Sequence, residues 1–381
     1  MVTPPLGDLL AWLRDGEPVA RRTDFAAGSA MPDGRLDLCK QGLGPYGMRL
    51  VADALPVGGP ARHLLLGTDG LGDEGAEIAA AGATRSGAAT LYLGCNAITA
   101  AGAGRIADRL IASPGIVRGL WLKRNPLGPD GGRIVAETVD AGLRTIDLVQ
   151  TGLDAAGLAV LVDRLPTAGG AGRLFVSGNR LGPEGAEQLA RLIASDGAEE
   201  LYVSAAGLGD QGASVVAGAL RPGRLRRLSM ASNGIGPAVL AELVAAAARA
   251  GAEMLDLGRV PAAGPLHAAD NRLDEQAAAL IAQALSEGPH RLAHLDLRHT
   301  GLTSRGALHL LAGAGRALSP TRYTLGGGIA SRVKRDLNEL AAAVPVLRPH
   351  PDVGAVRSVH RIADRAAHGV AASAGSVHVV P

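Results

Sequence analysis

Rings are scarce in this sequence. Of its 381 residues only 2% are aromatic, while 47% are hydrophobic. A core therefore has to be assembled from Leu, Ala, Val and Ile, which suits thin repeated layers better than one thick globule. Lysine is nearly missing as well. It stands only at 40, 123 and 334, and the rest of the basic charge is arginine, enriched together with Ala and Gly as a coding bias would give. Charged residues total 19% and the formal net charge is +2, without the basic stripe of a nucleic-acid binder. Two cysteines, Cys39 and Cys95, are too few for a secreted disulfide scaffold. There is no run of about 18 apolar residues, which argues against a membrane-spanning helix. The opening stretch MVTPPLGDLLAWLRDGE carries Asp8, Arg14 and Asp15 and lacks the apolar core of a signal peptide. These absences lead to the expectation of a cytoplasmic, reduced protein.

What the sequence does have is a repeat. Leu36-Asp-Leu38, Leu64-Leu-Leu66, Leu91-Tyr-Leu93, Leu120-Trp-Leu122 and Ile146-Asp-Leu148 fall in register, and Leu174-Phe-Val176, Leu201-Tyr-Val203, Leu228-Ser-Met230, Leu255-Asp-Leu257 and Leu295-Asp-Leu297 continue it. The steps are 28, 27, 29, 26, 28, 27, 27, 27 and 40 residues. Tyr323-Thr-Leu325 makes a degenerate further unit. A polar residue and an aliphatic one follow each motif, as in Asn96-Ala-Ile98, Asn125-Pro-Leu127 and Asn179-Arg-Leu181. Four residues later comes a glycine (Gly102, Gly131, Gly185), then apolar spacing near 3.6. A short strand and an amphipathic helix within about 28 residues impose parallel strands, with helices on one face.

This pattern resembles the ribonuclease-inhibitor class of leucine-rich repeats over residues 35–344. The resemblance implies an α/β solenoid of about 10–11 repeats, a horseshoe with parallel strands on its concave face and helices on its convex face. It also implies use as a binding surface. Asn96, Asn125, Asn179, Asn233 and Asn271 would satisfy backbone groups in the turn after each strand. Gln41, Asp69, Thr151 and Thr300 replace Asn in other units, and Ala206 has no side chain able to do so. The cysteine-rich alternation of mammalian ribonuclease inhibitors is missing.

Residues 1–34 read as a cap, with a helix near Leu6–Arg14 bearing Trp12, and Phe25 in an irregular link. A closing helix is expected over Ala330–Ala343. The 40-residue step holds an insertion, roughly Gly258 to Asp270, at the end of the ninth strand; loops in such places often carry function. Residues 345–381, with Pro345, Pro349, Pro351 and four of the ten histidines, read as a flexible tail in which Val353–Ala367 forms a helix on a partner.

Side chains alternate along a strand, so the residue between the two core aliphatics points to the open concave side. In order these are Asp37, Leu65, Tyr92, Trp121, Asp147, Phe175, Tyr202, Ser229, Asp256, Asp296 and Thr324. Four of the eight aromatic residues occupy this one position. Exposed rings anchor interfaces, and strand spacing predicts an aromatic patch of roughly 25 Å. Lys123 and Arg124 flank Trp121. The expected partner is another protein, bound through Tyr92, Trp121, Lys123, Arg124, Asp147, Phe175, Tyr202, Asp256, Asp296 and Arg298. The alternative is an enzyme or a small-ligand or carbohydrate binder. It would use Asp256 and Asp296, placed about 5 Å apart as in retaining glycosidases, with Arg298 and the insertion, or stack a sugar on Tyr92 and Trp121. Cys39 and Cys95 lie two strands, roughly 10 Å, apart, too far for a disulfide. Neither a phosphate loop nor metal-ligand spacing appears, so no metal or cofactor is expected.

Overall fold

The computed structural model describes residues 4–360. The chain divides into two compact units. One is Met1–Leu153 with Arg348–Pro381, described over 4–153 and 348–360; the other is Asp154–Leu347.

The first unit opens with α1 (Gly7–Asp15) and a pair of two-residue strands, β1 (Thr23–Asp24) and β2 (Ser29–Ala30). Strand β1 pairs antiparallel with β2, and β2 antiparallel with β3 (Arg35–Asp37), extending the sheet at this end. Leu9, Leu10 and Leu13 bury the inner side of α1, and Trp12 lies 5.4 Å from Phe25. The repeats follow as β3, α2 (Gly44–Ala54), β4 (His63–Leu65), α3 (Gly72–Ser86), β5 (Thr90–Tyr92), α4 (Ala100–Ile111), β6 (Gly119–Trp121), α5 (Asp130–Thr138) and β7 (Thr145–Asp147). Strands β3 to β7 are parallel in sequence order, with Leu36, Leu64, Leu91, Leu120 and Ile146 side by side.

The second unit repeats the same design. Its elements are α6 (Ala155–Arg164), β8 (Ala171–Phe175), α7 (Gly182–Ala194), β9 (Ala198–Tyr202), α8 (Gly209–Ala219), β10 (Arg227–Ser229), α9 (Pro237–Ala250), β11 (Met254–Asp256), α10 (Glu275–Ser286), β12 (His294–Asp296), α11 (Ser304–Ala314), β13 (Arg322–Thr324) and α12 (Ser331–Leu340). Leu174, Leu201, Leu228, Leu255, Leu295 and Tyr323 form the matching row. Such connections leave only one arrangement open, because a parallel crossover must carry its helix to one side of the sheet. The core is the layer between strands and helices: Leu91, Leu93, Leu120 and Leu122 are all buried there.

Three local devices hold each unit in register. Thr99, Asp154, Asp274 and Thr303 cap their helices by accepting a hydrogen bond from a first-turn N–H. A glycine in the first helical turn lets the loop aliphatic press on the backbone; a Cβ on Gly185 would lie 2.5 Å from Cβ of Leu181, and one on Gly131 2.8 Å from Cβ of Leu127. The third device is the asparagine ladder. Asn96 accepts from N of Asp69 and donates to the carbonyls of Leu66 and Leu93. Asn125 repeats this with Asn96 and Ile98 as donors and Leu93 and Leu122 as acceptors. Asn271 makes the same set in the second unit. Asn233 accepts from N of Ala206 and Leu208 and donates to the carbonyls of Val203 and, at 3.4 Å, Ala231; Asn179 donates to the carbonyl of Val176. Thr151 and Thr300 donate to the carbonyls of Leu148 and Leu297.

The insertion in the ninth unit is a compact knot of turns. Main-chain bonds join Ala263 to Val260 and Leu266 to Ala262, and an Arg259–Asp270 ion pair of 3.3 Å closes its base. Asn271 thereby resumes the ladder.

Candidate functional site

The strand side opposite the helices carries three rows of side chains, because each strand and the residues after it present every second position there. The middle row is the aromatic one. Two residues before it runs Arg35, His63, Thr90, Gly119 and Thr145 in the first unit, and Arg173, Glu200, Arg227, Met254, His294 and Arg322 in the second. Two residues after it runs Cys39, Gly67, Gly94, Lys123 and Val149, and then Ser177, Ser204, Ala231, Gly258, Arg298 and Gly326. The same alternation that picks out the middle row picks out both neighbours. The earlier row was missed because it precedes the leucine motif.

The expectation of an open face is corrected here. Trp121, Phe175 and Asp147 are fully buried, and Tyr92, Tyr202 and Lys123 keep no more than 4% exposure; among the central candidates Arg124 alone is exposed. Alternation decides which side a residue faces and leaves undecided what lies above it. In the first unit the strand face is also met by the stretch expected to be a flexible tail. Residues 348–360 lie against the strand face. Thr145 Oγ1 donates to Oδ2 of Asp352 at 3.2 Å, Arg35 Nη1 to the carbonyl of Arg357 at 2.6 Å, and N of Val359 to Oδ2 of Asp37 at 2.6 Å. Val353, Ala355, Val356 and Ser358 are buried in the contact. Instead of one helix from Val353, the segment forms the single turn α13 (Pro351–Gly354) and then runs on irregularly to Ser358. The part of that expected helix beyond residue 360 lies outside the described residues.

The rings pack on each other and on the small third row. Tyr92 and Trp121 have centroids 6.5 Å apart at 44°. Phe175 and Tyr202 stack at 4.4 Å and 12°. Tyr92 lies down over Gly67 and Gly94: a Cβ on Gly67 would be 2.5 Å from Cε1 of the ring, and one on Gly94 2.8 Å from its hydroxyl. Lys123 Nζ sits 5.8 Å from the centre of the Tyr92 ring, within reach of its π-face. Arg124 follows in a left-handed backbone, φ 55°, stays exposed, and donates to Oε1 of Gln150. Asp147 Oδ1 accepts from N of Val149. Tyr202 donates its hydroxyl to Oε2 of Glu200 at 2.8 Å; burial, with the Glu200 charge added, pushes its phenol far above the usual range.

Asp256 and Asp296 are register partners, and both are engaged. Asp256 accepts from the hydroxyl of Ser229 at 2.8 Å and from N of Gly258 at 3.0 Å. Burial, and then the Asp296 charge, raise its pKa. Asp296 is clamped by Arg298 through Nε and Nη2. Ser229 also meets the Ser204 hydroxyl at 2.8 Å, so it is a link in a polar chain and not a spectator. Cys39 and Cys95 are free thiols. Burial pushes Cys39 up to about 12, the opposite of a nucleophile.

Repeated parallel strand–helix units, leucine rows and asparagine turns together define a leucine-rich-repeat fold. Among solved structures the chain is similar to the leucine-rich repeat-containing protein LegL7 from Legionella pneumophila, at 15% identity and a TM-score of 0.51, over 78% of this chain and 95% of that one. That likeness concerns the fold alone. No family model matches the sequence, and no curated protein does. No helix among the described residues is long and apolar enough to cross a membrane.

Proposed function

We propose that this protein is a protein-binding scaffold of the ribonuclease-inhibitor type, holding a polypeptide on its strand face. Tyr92, Trp121, Lys123, Arg124 and Asp147 serve this role in the first unit, and Phe175, Tyr202, Asp256, Asp296 and Arg298 in the second. The observation that carries the reading is that the first unit's strand face already holds a polypeptide, its own residues 348–360, through main-chain groups as well as side chains.

A protein suits this face better than nucleic acid, because Asp37, Asp147, Asp256 and Asp296 of the middle row would repel phosphates. A sugar would need an open ring face to stack on, and the faces of Tyr92 and Trp121 are turned to each other, to Lys123 and to the glycine row. An acid–base pair at Asp256 and Asp296 is disfavoured by the Ser229, Gly258 and Arg298 bonds that occupy their oxygens. Two free thiols fit a reducing, cytoplasmic setting.

Site-specific photo-crosslinking tests the reading. A photoreactive residue placed at Arg124 or Arg298 should capture a polypeptide partner, and one at Leu280 on the exposed side of α10 should not. Equal capture from Leu280 would remove the strand face from the argument.

A further inference from the structure

The contact made by residues 348–360 differs in kind from the contacts that build the repeats. Repeat cores are rows of leucine. This contact rests on three small aliphatics, Val353, Ala355 and Val356, set among polar bonds from Asp37, Arg35 and Thr145. Its one helical turn is organised within itself: His350 Nδ1 accepts from N of Asp352, and the carbonyl of Pro351 from N of Ala355. The preceding link is rich in proline and exposed, with Val346 at 67%. The Asp352 carboxylate lies 3.7 Å from Nδ1 of His350 and accepts from Thr145, and its charge is felt by the half-buried His63, whose pKa burial lowers. At the other end the Ser358 hydroxyl meets the Cys39 thiol.

From these features we infer that residues 348–360 are a resident ligand of the first unit's strand face, displaceable by a peptide of the same chemistry supplied by a partner. That chemistry is a carboxylate side chain, a small aliphatic residue directly after it and another four positions after the carboxylate, then a main-chain carbonyl for Arg35 and a main-chain N–H for Asp37. The inference rests on the scaffold reading above and gives it a switch: the face is closed by its own chain until a competing segment arrives.

Cys39 is a built-in reporter, because it lies under the segment and is wholly buried. The test uses the full chain with Cys95→Ser, leaving one thiol, with and without the pair Asp352→Ala and Val356→Asp. The probe is a synthetic peptide of residues 348–360. The pair should speed reaction of Cys39 with a small thiol reagent by about tenfold or more, as expected when a locally opened state becomes populated, with the melting temperature nearly unchanged. The peptide should then bind the opened chain about tenfold more tightly than the unaltered one and slow Cys39 again. A peptide carrying Asp352→Ala should do neither.

Unchanged Cys39 reactivity, or an opened chain that ignores the peptide, overturns the inference. Should the pair unfold the protein, hydrogen exchange on the unaltered chain decides. The Val359 amide should exchange about tenfold or more faster than the Leu64 and Leu91 amides, and equal protection would make the segment a fixed part of the core. Crosslinking from Arg298 in the second unit reports on the scaffold reading separately. Capture there without opening here would sink the switch alone, and opening here without capture there would sink the scaffold in the second unit.

Discussion

Asp69 stands where other repeats carry asparagine. Its Oδ1 accepts from N of Gln41 and N of Gly42, at 2.8 and 2.9 Å, as an amide oxygen would. Its Oδ2 is buried with no hydrogen-bond partner among the described residues, at the position where an amide nitrogen would donate to carbonyls. Burial raises the acid to about 7. The folded chain therefore holds a proton that the unfolded chain, with an ordinary carboxyl near pH 4, releases. Stability from this site is present below about pH 4 and is lost as pH rises towards 7. Asp69→Asn should add about 1–3 kcal/mol at pH 8 and almost nothing at pH 4. Urea midpoints at the two pH values check this, and equal gains at both would contradict it. Asn125→Ala strips acceptors from two N–H groups and donors from two carbonyls, so it should cost about 1–3 kcal/mol. Thr300→Ala removes one bond and should cost about 1 kcal/mol. Similar costs for the two would argue against the ladder.

At the scale of a strand, the large ring and the small residue beyond it form one unit. Tyr92 occupies the space that side chains at 67 and 94 would take. Gly67 and Gly94 have no left-handed backbone to explain them; the close ring does. Gly67→Ala should cost about 1–3 kcal/mol by overpacking. In a Tyr92→Ala background the same change should cost much less, so the double-mutant cycle should be strongly non-additive. Additive melting shifts would place the ring elsewhere. Because Trp121 is fully buried, Trp121→Ala will lower stability as well as binding, which makes Arg124 the cleaner position for functional work.

At the scale of the whole molecule, leucine spacing made the strands and helices legible, since a core between two layers demands apolar residues at fixed intervals. The asparagine positions follow from the same count, including Asn271 beyond its insertion. Three features were not legible. Strands β1 and β2 have two residues each, too few for alternation to register. The row of Arg35, Thr145 and Glu200 lies before the motif that draws the eye. The segment against the first unit's face comes from residues 322 positions away from the groups it meets, and no local pattern announces so distant a contact.

The ladder also has a direction. Asn96 receives its hydrogen bond from Asp69, Asn125 from Asn96, Asn233 from Ala206 and Asn271 from Asn233. In every case the loop is pinned by the repeat that comes after it in the chain. As the protein emerges from the ribosome, each new turn waits half-finished for a residue not yet made, and the arrival of the next repeat closes it. Growth from one end is thus rewarded a step late, each repeat acting as a clasp for the one before. Shortening the protein from its two ends is unequal for the same reason: loss of a leading repeat leaves a spare acceptor behind, whereas loss of a trailing one leaves an open loop.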